Sequence, residues 1–118
     1  MVDVRRHHVL IIEDEMMIAL TLEDMLTSLG FDSFDIANDA ASAVLCARNH
    51  RPDMITADGR IKGGTGMEAV DRITDAMGAI PVVYVTGNPK FVGRGPVVTK
   101  PFSSETLGAA CARVYDFH

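Results

Sequence analysis

Residues 52–69 read PDMITADGRIKGGTGMEA, and the fold follows from how this stretch divides. Pro52 stops any helix that precedes it, and Met54 to Ala57 is a short apolar run fit for a buried strand. Thr65 and Glu68 have the spacing of a capping box, in which each side chain satisfies an orphan amide at the start of a helix, here one running to about Met77. Between strand and helix lie Asp58, at the strand end, and a loop carrying Gly59, Gly63 and Gly64. Strand, loop and helix in that order form the repeating unit of a parallel sheet.

The same alternation continues in both directions. Upstream, Val9 to Ile12 is a β-branched run suited to a strand buried on both faces. Ile18, Leu22, Met25, Leu26 and Leu29 then recur at three and four, and Gly30 stands where a helix C-terminal glycine belongs. Ser33 to Ile36 is a weaker strand, and Asn38 or Asp39 caps a helix through about His50, with Ala40, Val44, Leu45 and Ala47 on its apolar face. Downstream, Pro81 introduces the strand Val82 to Val85, and the glycine-rich segment Gly87 to Gly95 has no helical period and reads as a loop or at most one turn. Val97 and Val98 form a brief fifth strand, and Ser103 caps a last helix carrying Leu107, Ala110, Cys111 and Val114. Five strands alternating with helices argue for an α/β domain whose parallel sheet is covered on both faces.

Composition sets the outer limits. A length of 118 residues corresponds to one domain, read as 1–118. Eleven Lys and Arg against 16 Asp and Glu give a net charge of −5, which supplies no general attraction to nucleic acid or to an anionic membrane. Hydrophobic residues at 47% suit a packed globule. Cys46 and Cys111 sit in helical patterns without metal-ligand spacing and read as reduced, buried thiols. The N-terminus has too short an apolar run for a signal peptide, and no segment approaches the ~18 apolar residues of a membrane span, so a soluble cytoplasmic protein is expected. Arg5, Arg6, His7 and His8 read as a solvated lead-in to the first strand, and Met16, Met17, Met25 and Met77 as gap-fillers in a core.

In a sheet of this kind ligands bind outside the carboxyl ends of the strands. The residues there are Glu13, Asp14 and Glu15 after the first strand, Asp58 after the third, Thr86 after the fourth and Lys100 after the fifth. Any one of these acids alone reads as a solvated turn residue, but together they point to one place. Two carboxylates ~4 Å apart repel by about 4 kcal/mol at an effective dielectric near 20, so such a cluster calls for a cation. An all-oxygen donor set favours Mg²⁺. Glu15 stands at the start of a helix, where its charge suits the dipole.

Four pieces, VLIIEDE (9–15), PDMITADGRIKGGTGMEA (52–69), PVVYVTG (81–87) and TKPF (99–102), resemble in order and placement the receiver domain of two-component response regulators, over essentially the whole chain. The resemblance implies a flavodoxin-like, doubly wound five-stranded parallel sheet of order 2-1-3-4-5. It makes Asp58 the acceptor of a phosphoryl group from a histidine kinase or histidine phosphotransfer protein, in a Mg²⁺-dependent phosphorelay. It assigns Asp14 and Asp58 as metal ligands, Glu13 as one acting mainly through water, and the backbone carbonyl of Arg60 as another. Thr86 would hydrogen-bond the phosphoryl oxygen, Lys100 would pair with it, and the Lys100–Pro101 peptide would be cis. Arg60 and Asn88 would border the path of hydrolytic water and tune the phosphoryl lifetime. Such a domain is a phosphoacceptor with at most self-phosphorylation and autodephosphorylation, not an enzyme with a separate substrate.

The chain departs from the common pattern between Thr86 and Lys100, a separation ~8 residues, or two helical turns, shorter than usual. The helix expected there, the fourth, is therefore short or absent. The aromatic that commonly sits three before the lysine is replaced by Val97, with Tyr84 or Phe91 as candidates to take its role. The short loop with TGNP resembles an alphaproteobacterial subgroup of single-domain regulators serving kinases of the HWE class, and implies a 87–95 segment that is mobile without phosphate and ordered with it. With the last helix ending near His118 there is no room for a DNA-binding domain, so the expectation is a stand-alone receiver acting through protein–protein interaction or as a phosphate drain. The alternative is the receiver part of a longer regulator or hybrid kinase. A nucleotide-binding module of the same fold is more remote, because Glu13, Asp14 and Glu15 would repel its phosphate. An aspartyl phosphohydrolase would carry a second acid two residues after its nucleophile, where this chain has Arg60.

Overall fold

A computed structural model of the protein describes residues 6–88 and 93–117; the readings placed on Arg5 and Phe91 lie outside them. Five strands, β1 (His8–Ile12), β2 (Ser33–Ala37), β3 (Met54–Asp58), β4 (Val82–Thr86) and β5 (Val97–Thr99), alternate with α1 (Met16–Leu29), α2 (Ala40–Asn49), α3 (Gly66–Met77) and α4 (Ser104–Val114). All strand pairs are parallel, and the sheet order is β2-β1-β3-β4-β5. This is the flavodoxin-like, doubly wound arrangement.

The sheet separates two cores because successive side chains of a strand point to opposite faces. Val9 and Ile11 of β1, Met54 of β3 and Val83 and Val85 of β4 pack with Ala19, Leu22 and Leu26 of α1 and Leu107 and Cys111 of α4. Leu10, Ile12, Ile55, Ala57 and Tyr84 face the other way, against Ala43 and Ala47 of α2 and Ala69, Val70 and Ile73 of α3. Burial on both faces explains why β1 and β3 show no polar alternation. The helix ends are set locally. Asp39, Thr65 and Ser103 cap α2, α3 and α4 by accepting amides of Ser42, Glu68 and Thr106, and Gly30 closes α1 at φ +118°.

Several residues sit elsewhere than their sequence pattern suggests. His8 is no solvated lead-in: it is the first residue of β1 and 2% exposed, with Ser33 and Asp35 of β2, Asp53 before β3 and the His50 ring at the end of α2 placed around it. Met16 and Met17 are exposed on the first turn of α1 rather than filling a core, since the buried stripe of this helix runs through Ala19, Leu22 and Leu26. Leu45 is also exposed; α2 turns its small residues Ala43 and Ala47 inward to approach the sheet. Burial pushes the Cys111 thiol up to about 11, while Cys46 is half-buried, and both cysteines are free.

Among the described residues between β4 and β5 there is no helix. The fourth helix in chain order, α4, follows β5. The return to β5 is held by the Tyr84 amide donating to the Pro96 carbonyl at 2.9 Å. Tyr84 itself is wholly buried, and Arg94 reaches Asp71 of α3 at 3.6 Å. No helix among the described residues is long and apolar enough to cross a membrane.

Candidate functional site

The carboxyl ends of β1, β3, β4 and β5 lie side by side, so the residues that end or follow them meet. Glu13 extends the β1 ladder by one rung, its amide donating to the Ala37 carbonyl at 2.9 Å. That turns its side chain inward, where it is 2% exposed, while Asp14 next to it is exposed. The Glu15 amide donates to Glu13 Oε2 at 3.1 Å and fixes the carboxylate. Lys100 is placed the same way, its amide donating to the Thr86 carbonyl at 2.8 Å, and the Lys100–Pro101 peptide is cis. Its Nζ lies 3.0 Å from Glu13 Oε1 and 3.2 Å from Asp58 Oδ2. One carboxylate oxygen each from Glu13, Asp14 and Asp58 lies within 4.8 Å of the others.

Asp14, Asp58 and Lys100 open onto a cleft of about 630 Å³, lined also by Arg60, Thr86 and Asn88. Asp58 is the last residue of β3 and nearly buried. Thr86, also buried, accepts the Asn88 amide on its hydroxyl oxygen at 3.1 Å. The loop after Asp58 is pinned by paired bonds between Ile61 and Gly64, 3.1 and 3.2 Å, around Gly63 at φ +78°, and by the Lys62 amide on the Asn38 carbonyl. Ile61 is buried in the core beneath it, so Arg60 is held at the rim by a closed turn.

The electrostatics show what the donor set lacks. Burial raises the Glu13 carboxyl to about 7; the Lys100 ammonium and the Glu15 amide pull it down, and neighbouring Asp58 pushes it up. Desolvation works against the Lys100 ammonium too, but Glu13 and Asp58 outweigh it and hold its pKa above the ordinary lysine value. One ammonium therefore pairs with two carboxylates, and a third, that of Asp14, lies beside them. A hard divalent cation fits this oxygen set in charge and in donor chemistry.

One residue that positions the site escaped the sequence reading. Gly66 opens α3, and a Cβ there would overlap the backbone carbonyl of Asp58. The helix can approach the phosphoacceptor candidate this closely only without a side chain. The available signal was a glycine immediately after the N-cap Thr65, a poor helix former in a position that many residues fill better.

Comparison with known proteins agrees with this geometry. The sequence profile described as "Response regulator receiver domain" matches residues 9–112. The phyllosphere-induced regulator PhyR of Methylorubrum extorquens is 30% identical over 117 residues, covering 92% of this chain and 43% of that protein. The crystal structure of the response regulator PhyR from Brucella abortus superposes with a TM-score of 0.84 at 30% identity, covering 93% of this chain and 48% of that one. The receiver domain of the Pseudomonas aeruginosa sensor histidine kinase PA1611, described with a magnesium ion coordinated in its active site cleft, gives a TM-score of 0.82 at 25% identity over 93% and 98% of the two chains. The chain spans about half the length of the curated relatives it matches. With its carboxylates and lysine converging at the end of a 2-1-3-4-5 sheet and its profile matched over residues 9–112, the chain belongs to the response regulator receiver domain family.

Proposed function

We infer that the chain accepts a phosphoryl group on Asp58 from a histidine kinase or a histidine phosphotransfer protein. The observation that carries this is Lys100 Nζ lying between Glu13 and Asp58 at 3.0 and 3.2 Å, with Asp14 beside them. An Asp58 oxygen attacks phosphorus, the phosphorus–nitrogen bond of the donor phosphohistidine breaks, and its electron pair stays on the imidazole, which takes up a proton. Lys100 stands ready to pair with the transferred oxygens, and Thr86 to donate its hydroxyl to one of them. Glu13, Asp14, Asp58 and the Arg60 carbonyl would hold Mg²⁺, which when bound neutralises charge on the transferring oxygens. Arg60 and Asn88, at the rim of the cleft, would set how readily water reaches the aspartyl phosphate.

A donor imidazole must reach Asp58, so its carrier rests on the rim of the cleft. Exposed apolar residues stand nearby in the chain, with Met16, Met17 and Leu20 on α1 just after Asp14 and Glu15 of the cleft, and Ile18, Thr21 and Met25 of the same helix line a groove with Lys100, Pro101 and Phe102. We read the partner kinase as HWE-class from the short β4–β5 connection, the compartment as the cytoplasm, and residues 1–118 as one receiver that acts on its own, by binding a partner when phosphorylated or by draining phosphate. Faster transfer from an HWE-class kinase than from others supports the first, and equal rates overturn it. Blotting of native extracts for a receiver-sized band, rather than one about twice as large, tests the last.

The decisive experiment is intact mass after incubation with acetyl phosphate and Mg²⁺. Wild type gains ~80 Da, one phosphoryl group, in an acid- and base-labile linkage, and Asp58→Asn gains nothing. An adduct that survives in Asp58→Asn overturns the assignment.

A further inference from the structure

A second group of ligand-type side chains lies at the opposite end of the sheet. His8, Asp35 and His50 each place one nitrogen or oxygen within 4.8 Å of the other two. They come from three elements: His8 opens β1, Asp35 lies within β2, and His50 is the residue that ends α2. His8 is 2% exposed and held from both sides, Nδ1 at 2.7 Å from Ser33 Oγ and Nε2 at 3.0 Å from Asp35 Oδ2. Its amide donates to Asp53 Oδ2 at 2.8 Å, which fixes the backbone as well. The His50 ring stacks on that of His8 at 3.6 Å with 11° between planes and is open to solvent.

We propose that His8, Asp35 and His50 form a binding site for a borderline-soft divalent metal ion of the zinc type, separate from the acidic cleft. Two imidazoles and one carboxylate are a donor set for zinc or nickel and a poor one for Mg²⁺, which keeps to oxygen. Bonds of about 2.0 to 2.1 Å at a tetrahedral angle put neighbouring ligand atoms ~3.3 Å apart; the pair His8 Nε2 and Asp35 Oδ2 stands at 3.0 Å. The ionised carboxylate only accepts, so at rest Nε2 carries the proton and Nδ1 accepts from Ser33. On metal binding the proton moves to Nδ1, the Ser33 hydroxyl turns from donor to acceptor, and the Nε2 lone pair goes to the metal, with no net change in protonation at His8. A hydroxyl in that second position fixes a ligand histidine's tautomer in the way carboxylates and carbonyls commonly do. His50 completes the set by turning its ring out of the stack, since parallel rings cannot both aim at one ion. Its place at the solvent-exposed end of α2 leaves room for that rotation, and water fills the remaining position. The Cys46 thiol, raised by burial and by the Asp35 charge, is not one of the set.

The five residues of β1 separate this cluster from Glu13 by ~17 Å at 3.3 Å per residue, so the two sites bind independently. The test is calorimetric titration of the whole chain with zinc chloride in excess Mg²⁺, which occupies the acidic cleft. One zinc per chain is expected, with shifts of the His8 and His50 ring signals in NMR spectra. His50→Ala and Asp35→Asn alter solvent-accessible groups and keep the fold, checked by circular dichroism; each should weaken zinc by tenfold or more, while Asp14→Asn leaves it unchanged. Absence of zinc binding in wild type, or undiminished binding in both His50→Ala and Asp35→Asn, overturns the site. Loss of zinc binding in Asp14→Asn overturns it as well, by assigning the ion to the cleft.

Discussion

At the carboxyl end of the sheet, Glu13 and Asp58 share a single ammonium and Asp14 stands beside them; at the amino end, His8 is enclosed by Ser33, Asp35 and Asp53 with both ring nitrogens engaged. The first end buries charge it does not balance, and Glu13 is pushed up to about 7. The second buries a group that can shed its charge. Desolvation, helped by His50, holds His8 below the ordinary histidine value against the pull of Asp35 and Asp53. The difference teaches where a parallel sheet keeps its reactivity. Unbalanced charge invites a cation and a phosphoryl group, whereas a neutral imidazole needs only hydrogen-bond partners.

Removing the shared ammonium breaks this contrast most directly. Lys100→Met should slow phosphorylation by acetyl phosphate about 100-fold or more, the usual scale for losing one preorganised charge stabiliser, read as the rate of phosphoryl adduct formation by mass spectrometry. A change of less than threefold would leave Lys100 without a part in transfer. Gly66→Ala tests how tightly the same end is built. Its methyl group would collide with the Asp58 carbonyl, and overpacking at such a site costs about 3 kcal/mol, seen as a lower urea midpoint and slower phosphorylation together.

Two substitutions from the core between the ends serve as controls. Burial alone raises Cys111 from 9.0 to about 11, so the folded state favours the neutral thiol. Its contribution to stability is complete below pH 9 and declines as pH rises through 11, by about 2 kcal/mol there. Cys111→Ala should show a correspondingly flatter loss of stability over that range; parallel curves for both proteins would contradict it. Thr56 lies wholly buried in β3, and its hydroxyl has no hydrogen-bond partner among the described residues. Thr56→Val removes that unsatisfied group at nearly constant shape and should stabilise by about 1 kcal/mol in urea denaturation, without altering phosphorylation.

Much of the molecule was legible because its signals are local. The caps at Asp39, Thr65 and Ser103, the αL glycine at position 30 and the apolar runs of the strands each act within a few residues, and the observed elements begin and end within a residue or two of them. The acidic cleft was legible too, because a parallel sheet brings the carboxyl ends of its strands together whatever their sequence separation. The amino end was not. His8 looks solvated beside Arg6 and His7, and its partners Ser33, Asp35 and Asp53 stand 25, 27 and 45 residues away. The short β4–β5 return was visible as a missing length, but not that Tyr84 would be wholly buried at its base.

The alternation of strands and helices, the acidic cleft and the family are written in the order of residues, since periodicity, capping and strand-end chemistry are properties of short segments. Tertiary structure alone decided that Lys100 bridges Glu13 and Asp58, that α3 needs glycine at position 66 to approach Asp58, and that His8 is buried against Asp35 and His50. Those outcomes depend on distances of a few ångströms between segments far apart in the chain, which no local pattern encodes.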